Sequence, residues 1–64
     1  AGIMIKLKRN IKLLPTGTLW KGSVHKIERI GDSGINLYYQ IRYKNHLYWV
    51  NELDCELKDK KMHD

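Results

Sequence analysis

In residues 35–51, INLYYQIRYKNHLYWVN, the first ten, 35–44, alternate between large, mostly apolar side chains and polar or amphipathic ones. The apolar series is Ile35, Leu37, Tyr39, Ile41 and Tyr43. A period of two is typical of a half-buried β-strand. A short loop at Asn45-His46 and a second run rich in aromatic and β-branched residues follow. The segment therefore predicts a β-hairpin against which the rest of the chain packs.

The loop of this hairpin sets which side chains face the core. With a two-residue loop at Asn45-His46, Arg42 lies opposite Trp49, and opposite residues share a face of the sheet. The predicted core side holds Ile41, Tyr43, Tyr48 and Val50. The predicted outer side holds Tyr38, Gln40, Arg42, Lys44, Leu47, Trp49 and Asn51. A longer loop would shift this register and exchange Tyr48 for Trp49.

The elements around the hairpin are shorter. Ile3 to Leu7 alternates and predicts a first strand, and residues 9–18 predict a loop that folds back over the core on Leu13 or Leu14. Leu19 to Ile30 favours a long bent strand with a β-bulge over a short helix. After a turn at residues 31–34 and the hairpin, residues 51–54 predict one 3₁₀ turn. Cys55 to Leu57 then predicts a short last strand, buried at Cys55 and Leu57.

This order of elements resembles the SH3-like small barrel, in its Tudor, chromo-barrel and KOW-type relatives. The residues that carry the resemblance are 17–24 (GTLWKGSV), 39–43 (YQIRY) and 49–53 (WVNEL). It implies an all-β SH3-like small barrel of about five antiparallel strands with one short 3₁₀ turn, and binding of nucleic acid, modified peptides or proteins. The acidic loop of peptide-binding SH3 domains is replaced by a basic one, so binding of proline-rich peptides is not expected.

The chain length favours a binding module over an enzyme. A chain of 64 residues makes one domain, and it buries only about 60% of its unfolded surface. We expect the barrel at residues 1–57 and a charged tail at residues 58–64. One cysteine permits no internal disulfide, which favours a reducing compartment. No apolar run approaches the roughly 20 residues of a membrane span, and no signal peptide is visible, so a cytoplasmic protein without membrane contact is expected.

The charge is uneven along the chain. Residues 1–27 contain six Lys or Arg and no Asp or Glu, whereas residues 28–64 contain six against seven, in agreement with the net charge of +5. A one-sided basic field attracts nucleic acid, the acidic face of a protein or anionic lipid. The alternative is that the lysines serve only to keep a small protein in solution.

Aromatic rings beside cations and amides are what a single-stranded nucleic acid needs, because rings stack on bases and cations follow the phosphates. The candidate contacts are Lys6, Lys8, Arg9, Lys12, Trp20, Lys21, Tyr38, Arg42, Lys44 and Trp49. Trp49 beside Arg42 predicts a cation–π pair. Two alternatives stay open: Trp49 covers a second small core under residues 9–18, and Trp20 either seals the barrel end or joins Trp49 or Tyr38 in a cage for methylated lysine or arginine.

Several site types are not predicted. His25, His46, His63 and Cys55 lack metal-ligand spacing, so neither a metal nor another cofactor is expected. Cys55 lies between Asp54 and Glu56, which raises its thiol pKa and favours a buried structural cysteine. Gly31 and Gly34 form a turn without the Gly-Lys-Ser/Thr ending of a phosphate loop. Catalysis is not expected.

The sequence therefore predicts a non-enzymatic, nucleic-acid-binding module. The alternative is a protein–protein interaction module, either an accessory subunit or a small inhibitor of the phage or plasmid type that docks on an acidic partner surface. The oligomeric state stays open.

Overall fold

The computed structural model describes residues 2–59. The elements are β1 (Ile3–Leu7), β2 (Ile11–Leu13), β3 (Gly17–Leu19), β4 (Val24–Lys26), β5 (Arg29–Asp32), β6 (Leu37–Tyr43), β7 (His46–Asn51), a 3₁₀ turn (Glu52–Asp54) and β8 (Cys55–Asp59). The all-β class is confirmed, and the one helical element of residues 2–59 is the 3₁₀ turn, at its predicted position. Asn51 caps that turn, because its Oδ1 accepts from the backbone N–H of Leu53 at 2.9 Å.

The strands form three antiparallel sheets, in the orders β4-β1-β8, β2-β3 and β5-β6-β7. Within the described part of the chain these sheets do not close into one hydrogen-bonded barrel. Residues 2–59 contain eight strands, against the five expected. The predicted bent strand is divided into β4 and β5, and the segment predicted as a loop contains β2 and part of β3. β8 runs to Asp59, so the predicted tail at residues 58–64 begins too early; residues 60–64 lie outside the described residues.

The β6–β7 hairpin turns at Lys44-Asn45, one residue earlier than predicted. Both residues have positive φ, 49° and 67°, as a type I′ turn requires, and this turn matches the twist of the flanking strands. Arg42 therefore lies opposite Leu47, and Trp49 lies opposite Gln40. The predicted pairing was wrong by one residue in each strand. The error moves each partner by two residues in total, and residues two apart in a strand point to the same side of the sheet. The predicted division into core and outer sides therefore stays correct for β6 and β7.

The predicted bent strand begins later than expected. Trp20 to Ser23 form a turn, closed by a hydrogen bond from the Ser23 N–H to the Trp20 carbonyl at 3.0 Å, with Gly22 at a φ of 88°. Val24–Lys26 then pairs with β1, and Arg29–Asp32 pairs with β6. Residues 24–32 thus pass from one sheet to the other, as a bent strand does, and no helix forms through residues 24–30.

The segment predicted as a loop, residues 9–18, contains β2, the turn that follows it and the first two residues of β3, which pairs with β2 to form a hairpin. Leu13 is partly buried against the core, whereas Leu14 is 78% exposed, so Leu13 is the anchor. The hairpin delivers Leu19, which is 1% exposed, to the core.

All three sheets contribute to one hydrophobic core. Its buried members are Ile5, Leu7, Leu19, Tyr39, Ile41, Val50 and Cys55. Leu57 was predicted to be buried but is 54% exposed; it lies towards the end of the β1–β8 pair where Ile3 is also exposed, at 47%, whereas Cys55 pairs with the buried Leu7. Burial, followed by the charge of Asp54, raises the pKa of the Cys55 thiol to about 11.

We expect Cys55 to be protected from thiol reagents in the folded protein. At pH 7–8 almost no thiolate is present at a pKa of about 11, and the reactive species is the thiolate. Labelling with an aromatic disulfide reagent should be at least about a hundredfold slower in buffer than in denaturant, where the thiol regains an ordinary pKa near 8.5. Equal rates in the two solutions would contradict a buried Cys55.

Candidate functional site

The outer face of the β5-β6-β7 sheet carries three rows of cross-strand neighbours. The rows are Gly31–Tyr38–Asn51, Arg29–Gln40–Trp49 and Arg42–Leu47. Neighbours in a row share a face, and the buried side chains of Tyr39, Ile41 and Val50 occupy the opposite one. We call the eight residues of these rows the aromatic face.

Trp49 reaches across the sheet. It lies on β7, yet its ring contacts Gly31 on β5: a Cβ added to Gly31 would lie 3.1 Å from a ring carbon. The absence of a side chain at residue 31 therefore lets the indole lie over the neighbouring strands, where it stays 51% exposed. Trp49 does not cover a second core under residues 9–18.

An open pocket of about 370 Å³ lies beside this ring. It is lined by Gly31, Asp32, Ser33, Tyr38 and Trp49, and its surface is almost wholly apolar. The rings of Tyr38 and Trp49 thus line the same depression. Asp32 also lines it but adds little polar surface. The Asp32 carboxylate instead accepts a hydrogen bond from the Gly34 N–H at 2.8 Å.

Hydrogen bonds to Asn51 fix one wall of the pocket. Asn51 Nδ2 donates to the Tyr38 hydroxyl at 3.3 Å, while Asn51 Oδ1 caps the 3₁₀ turn. The carboxylate of Glu52 accepts from the backbone N–H of Leu37 at 2.8 Å, which attaches the same turn to the start of β6. The Tyr38 hydroxyl is therefore hydrogen-bonded to a residue that is itself fixed by the cap of the 3₁₀ turn.

The other end of the aromatic face is polar. A second hollow is lined by Glu28, Arg29, Gln40, Arg42 and Leu47. Two guanidinium groups with one carboxylate lie there, beside an exposed Leu47. The predicted Arg42–Trp49 cation–π pair was wrong, because the observed register places Leu47 opposite Arg42.

Lys44 was predicted to lie on this face and does not. It occupies the β6–β7 turn, where its ammonium lies 3.4 Å from the Thr16 carbonyl and 5.4 Å from the centroid of the Tyr43 ring. Lys44 therefore connects the tip of the β6–β7 hairpin to the tip of the β2–β3 hairpin. The Thr16 hydroxyl also hydrogen-bonds to the Tyr48 hydroxyl at the same junction.

The remaining predicted cations lie on other elements. Lys6 is on β1, Lys12 is on β2, and Lys8, Arg9 and Lys21 are in the adjoining loops. Arg9 forms a salt bridge with Asp54 at 2.9 Å, yet its side chain stays 70% exposed. None of these five belongs to the rows of the aromatic face. Arg29, which does belong, was missed, because its place in the row of Trp49 depends on the pairing of β5 with β6, for which the sequence carries no local signal.

Trp20 does not join the other rings. It lies in the turn after β3, is 63% exposed and does not line the pocket. Among residues 2–59 the ring pairs in contact are His25–Tyr43 and His46–Tyr48. The predicted cage of Trp20 with Trp49 or Tyr38 is therefore not assembled.

No family model, curated protein or solved structure matches the chain.

Within residues 2–59, no three His, Cys, Asp or Glu side chains come together in a group that suits a metal ion. No helix of this part of the chain is long and apolar enough to span a membrane.

Among residues 2–59, His25 is a partly buried side chain whose ordinary pKa, 6.5, is close to neutral pH. Its Nε2 lies 2.8 Å from the Ser23 hydroxyl, and its ring meets the Tyr43 ring edge-on at a centroid distance of 6.2 Å. The Ser23 hydroxyl donates its only proton to the Trp20 carbonyl at 2.6 Å, so Nε2 is the donor to Ser23. Burial lowers the pKa of His25 from 6.5.

We expect this histidine to destabilise the fold in acid. Since the folded-state pKa lies below the unfolded value of 6.5, the unfolded chain binds more protons, and the free energy of unfolding falls as the pH drops below about 6.5. Denaturant titrations between pH 7 and 5 should show a smaller decrease for His25→Gln than for the native chain. Parallel curves for the two proteins would exclude His25 as the cause.

Proposed function

We propose that this chain is a non-enzymatic module that binds single-stranded nucleic acid on the aromatic face. One observation carries the proposal: the half-exposed Trp49 ring lies over Gly31, beside Tyr38, in the same sheet rows as Arg29 and Arg42. Flat rings accept any base, and guanidinium groups attract the phosphates that connect the bases.

Each member of the face has a distinct role in this proposal. Trp49 stacks on one base, and Tyr38 supports the adjacent base across the apolar pocket. Arg29 and Arg42 contact phosphates at the polar end of the face. Gln40 lies between the rings and the arginines and offers its amide to a base edge. The basic field of residues 1–27 adds long-range attraction without belonging to the face.

The proposal includes the SH3-like small barrel as the fold. It is supported by the order of elements: a strand, a segment that folds back, a strand that passes between two sheets, a tight hairpin, a 3₁₀ turn and a last strand. An intracellular site of action belongs to the same proposal, since nucleic acid is found there.

Titration of isotope-labelled protein with single-stranded and duplex oligonucleotides tests the proposal. Single strands should bind more tightly and shift the indole N–H of Trp49 and the side-chain signals of Arg29 in NMR spectra. With two phosphate contacts, the logarithm of the association constant should fall with the logarithm of salt concentration at a slope of about −1.4. The absence of binding to every oligonucleotide, at low salt as well, would reject the function.

A protein partner is the second candidate, and the apolar lining of the pocket favours it. An apolar side chain fits beside Trp49 as an interface anchor, and the Glu28–Arg29–Arg42 hollow would form the polar rim. Such a partner would make the chain an accessory subunit or an inhibitor that docks on an acidic surface. A stoichiometric partner that survives nuclease treatment and is lost with Trp49→Ala would support this function over nucleic-acid binding.

A further inference from the structure

A second surface lies on the outer side of the β4-β1-β8 sheet. Its rows are Lys26–Met4–Lys58 and Val24–Lys6–Glu56. We call these six residues the lysine face. Its side chains point away from the core, because the alternate residues of β1, Ile5 and Leu7, are the buried ones.

The lysine face is basic and has no aromatic residue. Three lysines oppose one carboxylate, and Lys26 and Lys58 are exposed. The salt bridge found among the described side chains is Arg9–Asp54; Glu56 lies opposite Lys6 in its row, but it forms no salt bridge with Lys6 or Lys58. These ammonium groups are available to an anion from solution.

The spacing of the lysines suits a chain of repeated charges. Lys26 and Lys58 lie on either side of Met4, about 10 Å apart at the backbone, and Lys6 lies about 7 Å further along β1. Lysines on flexible stems act as point charges that impose no fixed geometry on a phosphate. Without rings the face cannot stack on bases, and its apolar residues, Met4 and the 47% exposed Val24, include none of the Trp, Phe or Leu side chains that anchor a protein in a membrane surface. A phosphodiester backbone is therefore the favoured occupant.

The two faces lie on different sides of the core. β1 sends Ile5 and Leu7 inward from one sheet, and β6 and β7 send Tyr39, Ile41 and Val50 inward from the other. The outer sides of these sheets consequently point away from each other. A short single strand of nucleic acid bound at Trp49 therefore leaves the lysine face accessible to another segment of nucleic acid.

We propose that the lysine face is a second, sequence-independent contact for the phosphodiester backbone, so that one copy of this protein bridges two segments of nucleic acid. The bridging rests on the proposed function for the first segment. The lysine face itself does not, because its contact with phosphates requires no residue of the aromatic face.

Energy transfer between donor- and acceptor-labelled oligonucleotides of about ten nucleotides, each long enough for one face, measures bridging. The native chain should raise the transfer signal when the two oligonucleotides are mixed. The triple variant Lys6→Gln, Lys26→Gln, Lys58→Gln should reduce it to the protein-free level, while binding at the aromatic face, read from the Trp49 indole signal, changes less than about threefold at 0.15 M salt. The matched control Lys12→Gln, Lys21→Gln, Lys44→Gln removes the same charge and should keep the signal.

The outcomes separate the two proposals. Equal loss of transfer in both triple variants, or no transfer with the native chain while Trp49 still binds, overturns the lysine face and leaves the proposed function intact. If Trp49→Ala still binds duplex DNA and the Lys6, Lys26, Lys58 variant does not, the lysine face is supported whatever happens at the aromatic face. Binding of this face to phosphatidylserine vesicles or to an acidic protein, but to no oligonucleotide, overturns it.

Discussion

Trp49→Ala is expected to lower the affinity for a single-stranded oligonucleotide by about 1–3 kcal/mol, roughly five- to 150-fold, because each base stacked on an aromatic ring contributes about that much. The ring is half exposed and contacts Gly31 rather than the core, so its removal should leave folding nearly unchanged. Fluorescence anisotropy of a labelled oligonucleotide measures the affinity. Thermal unfolding of the same variant checks the fold.

Trp20→Ala is the matched control for this experiment. Trp20 is more exposed than Trp49, at 63% against 51%, but it does not line the pocket. Its substitution should change the affinity less than about twofold, within the scatter of surface changes. Equal losses for the two variants would mean that exposed indoles bind nonspecifically. A loss with Trp20→Ala alone would place the ligand on the turn after β3.

Much of the hairpin could be predicted from its period of two. Alternation assigned Gln40 and Arg42 to the outer side, and the expected two-residue loop placed Trp49 there as well; both assignments remain correct despite the error in register. The register itself depends on which two residues adopt positive φ. Asn45 is a common choice, but Lys44 carries no local signal for that conformation, so the turn was placed one residue late.

The pocket could not be predicted, because it depends on a contact across three strands. Gly31 is seven residues before Tyr38 and eighteen before Trp49, and nothing local indicates that β5 pairs with β6 at a register that places Gly31 under the indole. The same nonlocal pairing brings Arg29 into the row of Trp49. Interface residues that depend on such pairing become visible only when the sheet is known.

The surface on which the positive charge lies could not be predicted from the sequence either. The excess charge of residues 1–27 suggested one surface that combined cations and rings. Lys6 instead lies on β1, in a different sheet from Trp49, and the neighbouring row contains Lys26 and Lys58, which come from distant parts of the chain. Segment charge reports the field of the whole molecule, whereas the side of a sheet on which a lysine lies depends on strand pairing.

Ile41→Ala is expected to unfold a large fraction of the protein. Ile41 is fully buried, at 0% exposed, in the central strand of the β5-β6-β7 sheet, with Tyr39 and Val50 beside it in the core. Truncating a buried isoleucine costs about 2–5 kcal/mol, through lost burial and the cavity that remains. A domain of this length has a total stability of roughly 3–9 kcal/mol, so the loss approaches the whole.

Urea titration monitored by tryptophan fluorescence measures this loss, and Ile35→Ala provides the control. Ile35 has the same side chain and lies in the same alternating segment, but it is 87% exposed in the turn before β6, so its truncation should change stability by less than about 0.5 kcal/mol. The two isoleucines thus compare one chemical change at the two extremes of burial. A similar small effect for both would mean that β6 does not pack through Ile41, and the side of the sheet that carries Trp49 would then have to be reassigned as well.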